Sequence, residues 1–187
     1  VDGWTQTLCL IGALSFFVGA LGAFRRDDLK AVLAYTTLAQ LGAIFLWYGL
    51  APAAGADHVQ AIGMVLILGH VFYKGALFMV AGIVQHCSGT RDLRKLGGLA
   101  KALPLTALAA ALAAASLMGL PGTFGFVGKE ALLDLALRFA TPGNRIGWTL
   151  VTIIIAASAL YGAVALRIVL GPFFGPVDPE TKRHWHS

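Results

Sequence analysis

Charge is what this chain has least of. Asp, Glu, Lys and Arg together make up 12% of its 187 residues, about half the share of a water-soluble domain. With 58% of the residues hydrophobic, the balance excludes an ordinary soluble fold and points to a chain that faces lipid. Cysteine is scarce too. Cys9 and Cys87 lie in or beside apolar stretches, with neither a CxxC pair nor the density of a disulfide scaffold, so they fix no redox compartment. Acidic residues number nine against fourteen Lys and Arg. In a membrane chain that excess first concerns loop placement, and it implies no nucleic-acid partner. No Gly-rich phosphate loop follows a strand, which leaves nucleotide binding without support. His58, His70, His86 and Cys87 lack HExxH or CxxC spacing, and the histidine pairs of an intramembrane haem are missing. His184 and His186 in the tail form a pair of a kind that is more often incidental than metal-binding. We therefore expect no cofactor, no metal and no enzyme.

What the chain does have is long apolar runs. Residues 4–24, 29–50, 59–86 and 146–170 each exceed the roughly 20 residues that a bilayer-crossing helix needs. Residues 104–139 differ: an Ala- and Leu-rich run stops at Gly119-Leu-Pro-Gly122 and resumes near Lys129. The resumed part is short and carries Glu130, Asp134 and Arg138 at i, i+4 and i+8, a charged stripe along one helical face. It cannot cross alone. The expected fold is an all-α membrane domain of five crossings over residues 1–171, the fourth a discontinuous helix broken near residues 119–128, with a polar tail or linker over residues 172–187.

Loop charges agree, because Lys and Arg gather on the cytoplasmic side of short loops. Five crossings place Arg25, Arg26, Lys30, Arg91, Arg94, Lys95, Lys101, Arg167, Lys182 and Arg183 on one side and only Arg138 and Arg145 on the other. Six crossings would give nine against three. The start of the chain is thus expected outside and the tail inside. Val1 is not an initiator Met and no basic region precedes the first run, so the chain reads as a piece of a longer protein.

Charges within the apolar runs need a reason. Lys74 lies near the middle of residues 59–86, where a lysine costs about 2.5 to 3.5 kcal/mol on insertion scales and usually marks an ion or proton path. His70 shares its face at i, i+4, and Gln85 returns to that face. Taken alone, His70 reads more simply as a satisfied buried histidine. Lys129 follows four glycines and a proline inside what should be membrane, the composition of an unwound stretch lining a cavity. Near the start of the second half-helix it should meet a positive dipole end that disfavours its charge, with Glu130 favouring it. The plainer alternative is a re-entrant loop whose Lys129 and Glu130 are solvated at the headgroups. Lys30 opens its helix and begins a stripe with Leu33, Thr37 and Gln40.

Four segments in order carry a resemblance. They are residues 27–42, DDLKAVLAYTTLAQLG; residues 70–78, HVFYKGALF; residues 89–98, GTRDLRKLGG; and residues 125–130, GFVGKE. Together they resemble the successive motifs of the antiporter-like proton-pumping membrane subunits, a family that includes the A-type subunit of the multisubunit Mrp sodium/proton antiporter and the largest antiporter-like subunit of respiratory complex I. The Gly-Thr-Arg-Asp run and the Gly-Lys-Glu ending are more similar to the Mrp version. The resemblance implies one of two inverted five-helix repeats, in a multi-pass cell-membrane protein with other membrane subunits as partners. It also implies a central row of buried groups that carries protons against Na+. Carried over by motif, Lys30 and Lys74 would be links in that row, His70 a bridging link and Lys129 the terminal lysine at the break. Leu66 stands where the family usually has a further histidine, and Gly122 where a second proline is frequent. The first-repeat Glu and Lys are missing, so this piece alone should not pump. Two alternatives stay open: a redox-driven pump subunit, and a membrane scaffold whose lysines never titrate.

Overall fold

The computed structural model describes residues 3–53 and 59–176, which places His58, His184, His186, Lys182 and Arg183 outside the described residues. Helix is the only regular secondary structure among the described residues, apart from one isolated bridge between Asp28 and Asp92. In chain order the helices are α1 Gly3–Arg25, α2 Leu29–Ala53, α3 Val59–Ser88, α4 Leu99–Ala102, α5 Pro104–Met118, α6 Phe124–Phe139 and α7 Arg145–Val169, the last running on into a π-helical turn, Leu170–Phe174. Four stretches are long and apolar enough to cross a bilayer: α1, α2, α3 and α7 with its π turn. Large apolar side chains such as Leu14 on α1, Phe45 on α2, Phe72 on α3 and Leu112 on α5 project outward, as a lipid-facing surface requires and a wetted one does not.

Helix α1 packs most extensively along α2, and small residues set how closely. A Cβ added at Gly12 would stand 2.7 Å from the Leu46 amide nitrogen, and one at Gly19 would stand 2.5 Å from that of Ala39. In lipid there is no hydrophobic drive between helices, so backbone approach through such positions provides the dispersion contact. Helix α7 lies against α1, α5 and α6, and α3 against α2, α5 and α6, which leaves α6 inside the group.

One end of the bundle is tied by charge. Asp28 caps α2 by accepting from the Ala31 amide at 2.9 Å, and the Leu29 amide donates to the Arg91 carbonyl at 2.9 Å. Ion pairs Arg91–Asp28 at 3.2 Å and Arg94–Asp27 at 3.4 Å join the α1–α2 turn to the segment after α3. Arg94 also donates to Asp92, and that bond holds the Asp92 carboxyl below the usual carboxylate range. From α7, Arg167 donates to the Phe24 carbonyl at 2.7 Å, the Arg26 carbonyl at 2.9 Å and the Asp27 carboxylate. It thereby satisfies carbonyls that the end of α1 leaves free. Replacing Arg167 by Ala should lower stability by about 1–2 kcal/mol, since the site is partly exposed. A lower melting temperature of the detergent-purified protein checks this.

The break between α5 and α6 is shorter than its glycines suggest. Gly119, at φ +83°, ends α5, and the Leu120 amide returns to the Ala115 carbonyl at 3.0 Å, a left-handed cap that a residue with a Cβ adopts poorly. Thr123 then caps α6 by accepting from the Phe126 amide. Helix resumes at Phe124 rather than near Lys129, because Gly125 and Gly128 are helical, lying flush against Ser116 and Leu66 respectively. At the other end of the chain Pro172 and Phe173 are buried, and the π turn packs on α4. Packed structure therefore runs past residue 171, where a polar tail was expected to begin.

Candidate functional site

Lys74 sits midway along α3 and is 5% exposed. Its ammonium donates to the Leu33 carbonyl of α2 at 2.7 Å and to the Thr36 hydroxyl. No carboxylate pairs with it among the described residues. Thr36 is fully buried and its hydroxyl passes a hydrogen bond on to the Leu33 carbonyl at 2.9 Å. From α7, the hydroxyl of Tyr161, also fully buried, donates to the Thr36 carbonyl. A phenol inside hydrocarbon has to find such an acceptor.

The second lysine lies over the face of that ring. The Lys129 ammonium stands 4.8 Å from the Tyr161 ring centroid and donates to the carbonyls of Leu117 at 2.8 Å and Met118 at 2.7 Å. It therefore meets the carbonyl end of α5, not the N–H end of α6 as its sequence position suggests. The reason is that a helical side chain leans back toward its own N-terminus. Lys129 thus reaches across Gly119 onto the last turn of α5. Two carbonyl dipoles and a ring face all favour a cation there.

Beside Lys129 lies a cavity of about 20 Å³, lined also by Gln40 of α2, His70 and Tyr73 of α3, Ser116 of α5 and Ser158 of α7, among others. That is room for one water, with enough polar partners to hold it. His70 is half-buried, its Nδ1 3.2 Å from the Tyr73 hydroxyl. Gln40 is 8% exposed, lines this space and makes no side-chain hydrogen bond to protein among the described residues.

The structure thus brings His70, Lys129 and Gln40 to one cavity, with Lys74 one turn from His70 along α3, and leaves three expected residues outside that lining. Thr37 turns back to its own helix, donating to the Leu33 carbonyl at 3.1 Å. Lys30 is half-buried in the first turn of α2, with no ion pair among the described residues. Glu130 is exposed and does not pair with Lys129, because adjacent helical residues point about 100° apart. Leu66, buried, lines the cavity beside His70. Two members went unnoticed in the sequence, Thr36 and Tyr161. Thr36 lies one turn before Gln40, and Tyr161 is the one tyrosine within residues 146–170, so both carried a signal in polarity and spacing.

With this geometry in view, the likenesses to known proteins take on meaning. Residues 2–160 match the family described as NADH:quinone oxidoreductase/Mrp antiporter, transmembrane. The Na(+)/H(+) antiporter A1 subunit of Staphylococcus epidermidis is 32% identical over 192 aligned residues, covering 96% of this chain and 24% of the relative. The same subunit of Staphylococcus aureus is 31% identical with the same coverage. This chain spans about a quarter of the length of those relatives. Among solved structures, that of the Mrp complex from Dietzia sp. DQ12-45-1b superposes with a TM-score of 0.79 at 33% identity, covering 97% of this chain and 20% of that one. Family and apolar helices together make this a multi-pass membrane protein. The chain belongs to the NADH:quinone oxidoreductase/Mrp antiporter transmembrane family.

Proposed function

We propose that this chain is the proton-carrying part of a subunit of a multisubunit sodium/proton antiporter. One observation carries the proposal: the ammonium groups of Lys74 and Lys129 are held inside the bundle by neutral oxygens and a ring, without a paired carboxylate among the described residues. An apolar side chain of similar volume would often fill such space at little cost in stability. A lysine kept there serves better as a group that gains and loses a proton. Charge on one titrating site alters the proton affinity of its neighbour, so an ion moving elsewhere in the assembly can drive transfer along the row. Lys74 and Lys129 are the carriers, His70 the bridging link, and Gln40 and Thr37 polar lining. Lys30 at the basic end and Glu130 on the outer face of α6 serve its two approaches.

We read residues 104–139 as one crossing built from two half-helices. α5 begins beside α4 at the charged end, while α6 ends against the start of α7, where Asn144 donates to the Phe139 carbonyl at 2.9 Å. The fold is then a five-crossing repeat. The end bearing Arg25, Arg26, Arg91, Arg94 and Arg167 is its cytoplasmic side by the positive-inside rule, which sets the start of the chain outside. Sodium as the exchanged cation and further membrane subunits as partners follow from the names of the relatives.

Lys129→Gln in the complete complex tests the reading. A glutamine amide can still donate to the Leu117 and Met118 carbonyls but cannot carry a proton. Sodium-dependent proton movement in reconstituted vesicles should fall at least about tenfold, with the complex still assembled on native gels. Wild-type movement overturns the proposal.

A further inference from the structure

Tyr161 stands where the two lysine sites meet. Its ring face carries the Lys129 ammonium at 4.8 Å, and its hydroxyl donates to the carbonyl of Thr36, whose own hydroxyl accepts from Lys74. The ring is fully buried, with Phe16 edge-on at 5.9 Å. We infer that Tyr161 is a positioning residue for the proton path, seating Lys129 with its ring and fixing the α2 turn that receives Lys74 with its hydroxyl. The inference rests on the proton-path reading above.

The physical case is one of rigid connection. The Thr36 carbonyl belongs to a helical turn and accepts a second donor from α7, which ties the Leu33–Thr36 turn of α2 to that helix. Both acceptors of Lys74, the Leu33 carbonyl and the Thr36 hydroxyl, lie on this turn, so a displaced turn changes both together. The ring and hydroxyl of a tyrosine form one planar body, and close packing leaves it little freedom to turn. A change in how Lys129 lies on the ring is therefore felt at the hydroxyl, and through Thr36 at Lys74. The titratable groups nearest to this unit are Lys74, His70 and Tyr73 on α3 and Lys129 on α6. Phenylalanine at position 161 would keep the seat for Lys129 and release Thr36, and leucine would lose both.

The test uses the complete complex in vesicles, with sodium-dependent proton movement measured across pH for Tyr161→Phe, Tyr161→Leu and Lys74→Met. For Tyr161→Phe the complex should assemble as in the wild type, and the rate should fall about fivefold, the equivalent of one lost hydrogen bond. The rate–pH profile should also shift, and Tyr161→Leu should lower the rate further. The inference is overturned by a wild-type rate and profile in Tyr161→Phe. It is equally overturned if both Tyr161 variants only reduce assembly, with the rate per assembled complex unchanged, since that is the behaviour of a space-filling ring. Normal transport by Lys74→Met defeats the proton path itself, whereas an inactive Lys74→Met beside a normal Tyr161→Phe defeats only the role of Tyr161.

Discussion

Lys74→Met should reduce sodium-dependent proton movement by on the order of a hundredfold or more, while the complex assembles with near-native stability. The two halves of that expectation have separate causes. Methionine has nearly the shape of the lysine stem but no ionisable group, so the proposed proton row would lose a carrier. Exchanging a buried charge for an apolar group of similar volume is often neutral or stabilising by about 1–4 kcal/mol. Against this stands the loss of a donor, which costs about 1–3 kcal/mol where it leaves an acceptor unsatisfied. Here it does not: the Leu33 carbonyl still accepts from Thr36 at 2.9 Å and from Thr37 at 3.1 Å. The Thr36 hydroxyl loses its donor yet keeps its own bond to Leu33. Net stability should stay within about 2 kcal/mol of the wild type, checked by thermal melting and native electrophoresis beside the vesicle assay. A scaffold gives the reverse pattern, with transport kept and assembly altered.

How much of this was legible in the sequence varies with how local the cause is. The apolar runs gave α1, α2, α3 and α7 to within about three residues, because a helix in lipid must satisfy its backbone within itself and composition marks its length. Lys74 was legible for the same reason, a charge at the centre of a long run. The break was legible in kind but not in extent: Gly125 and Gly128 read as unwound chain, yet they lie within α6, where Gly125 lets the Ser116 backbone come close and Gly128 lies against the Leu66 side chain. That Lys129 leans toward the break follows from its own helix, but that the last carbonyls of α5 receive its ammonium was not legible there. Thr36 and Thr37 differ only by a rotation of about 100°. Which of them faces α3 depends on how α2 is turned against α1, and that is a tertiary fact. Tyr161 matters through partners more than thirty residues away in sequence, and one chain without pairing information does not reveal them.

Gly42→Leu should prevent the folded protein from accumulating. Helices α1 and α2 touch closely at Gly12 and Gly42: a Cβ at Gly12 would stand 2.8 Å from the Gly42 carbonyl, and one at Gly42 would stand 2.7 Å from the Gly12 carbonyl and fall against the Phe16 amide nitrogen. These obstacles are backbone and cannot rotate away. Even Ala at position 42 must push the helices apart, an overpacking cost of about 1–3 kcal/mol. Leucine also has to place a branched side chain in the seam. Lipid supplies no compensating drive to hold separated helices together. The damage would reach the lysine site, because Phe16 lines the cavity and packs on Tyr161 with ring centroids 5.9 Å apart. Moving α1 outward therefore loosens the seat of Lys129 as well. Gly75→Leu on α3 is the matched control, since nothing lies within 4 Å of a Cβ there. It should leave yield and melting temperature near the wild type, whereas Gly42→Ala should lower both and Gly42→Leu should leave no protease-resistant protein. Equal yields from Gly42→Leu and Gly75→Leu would mean that the α1–α2 seam is looser than these contacts require.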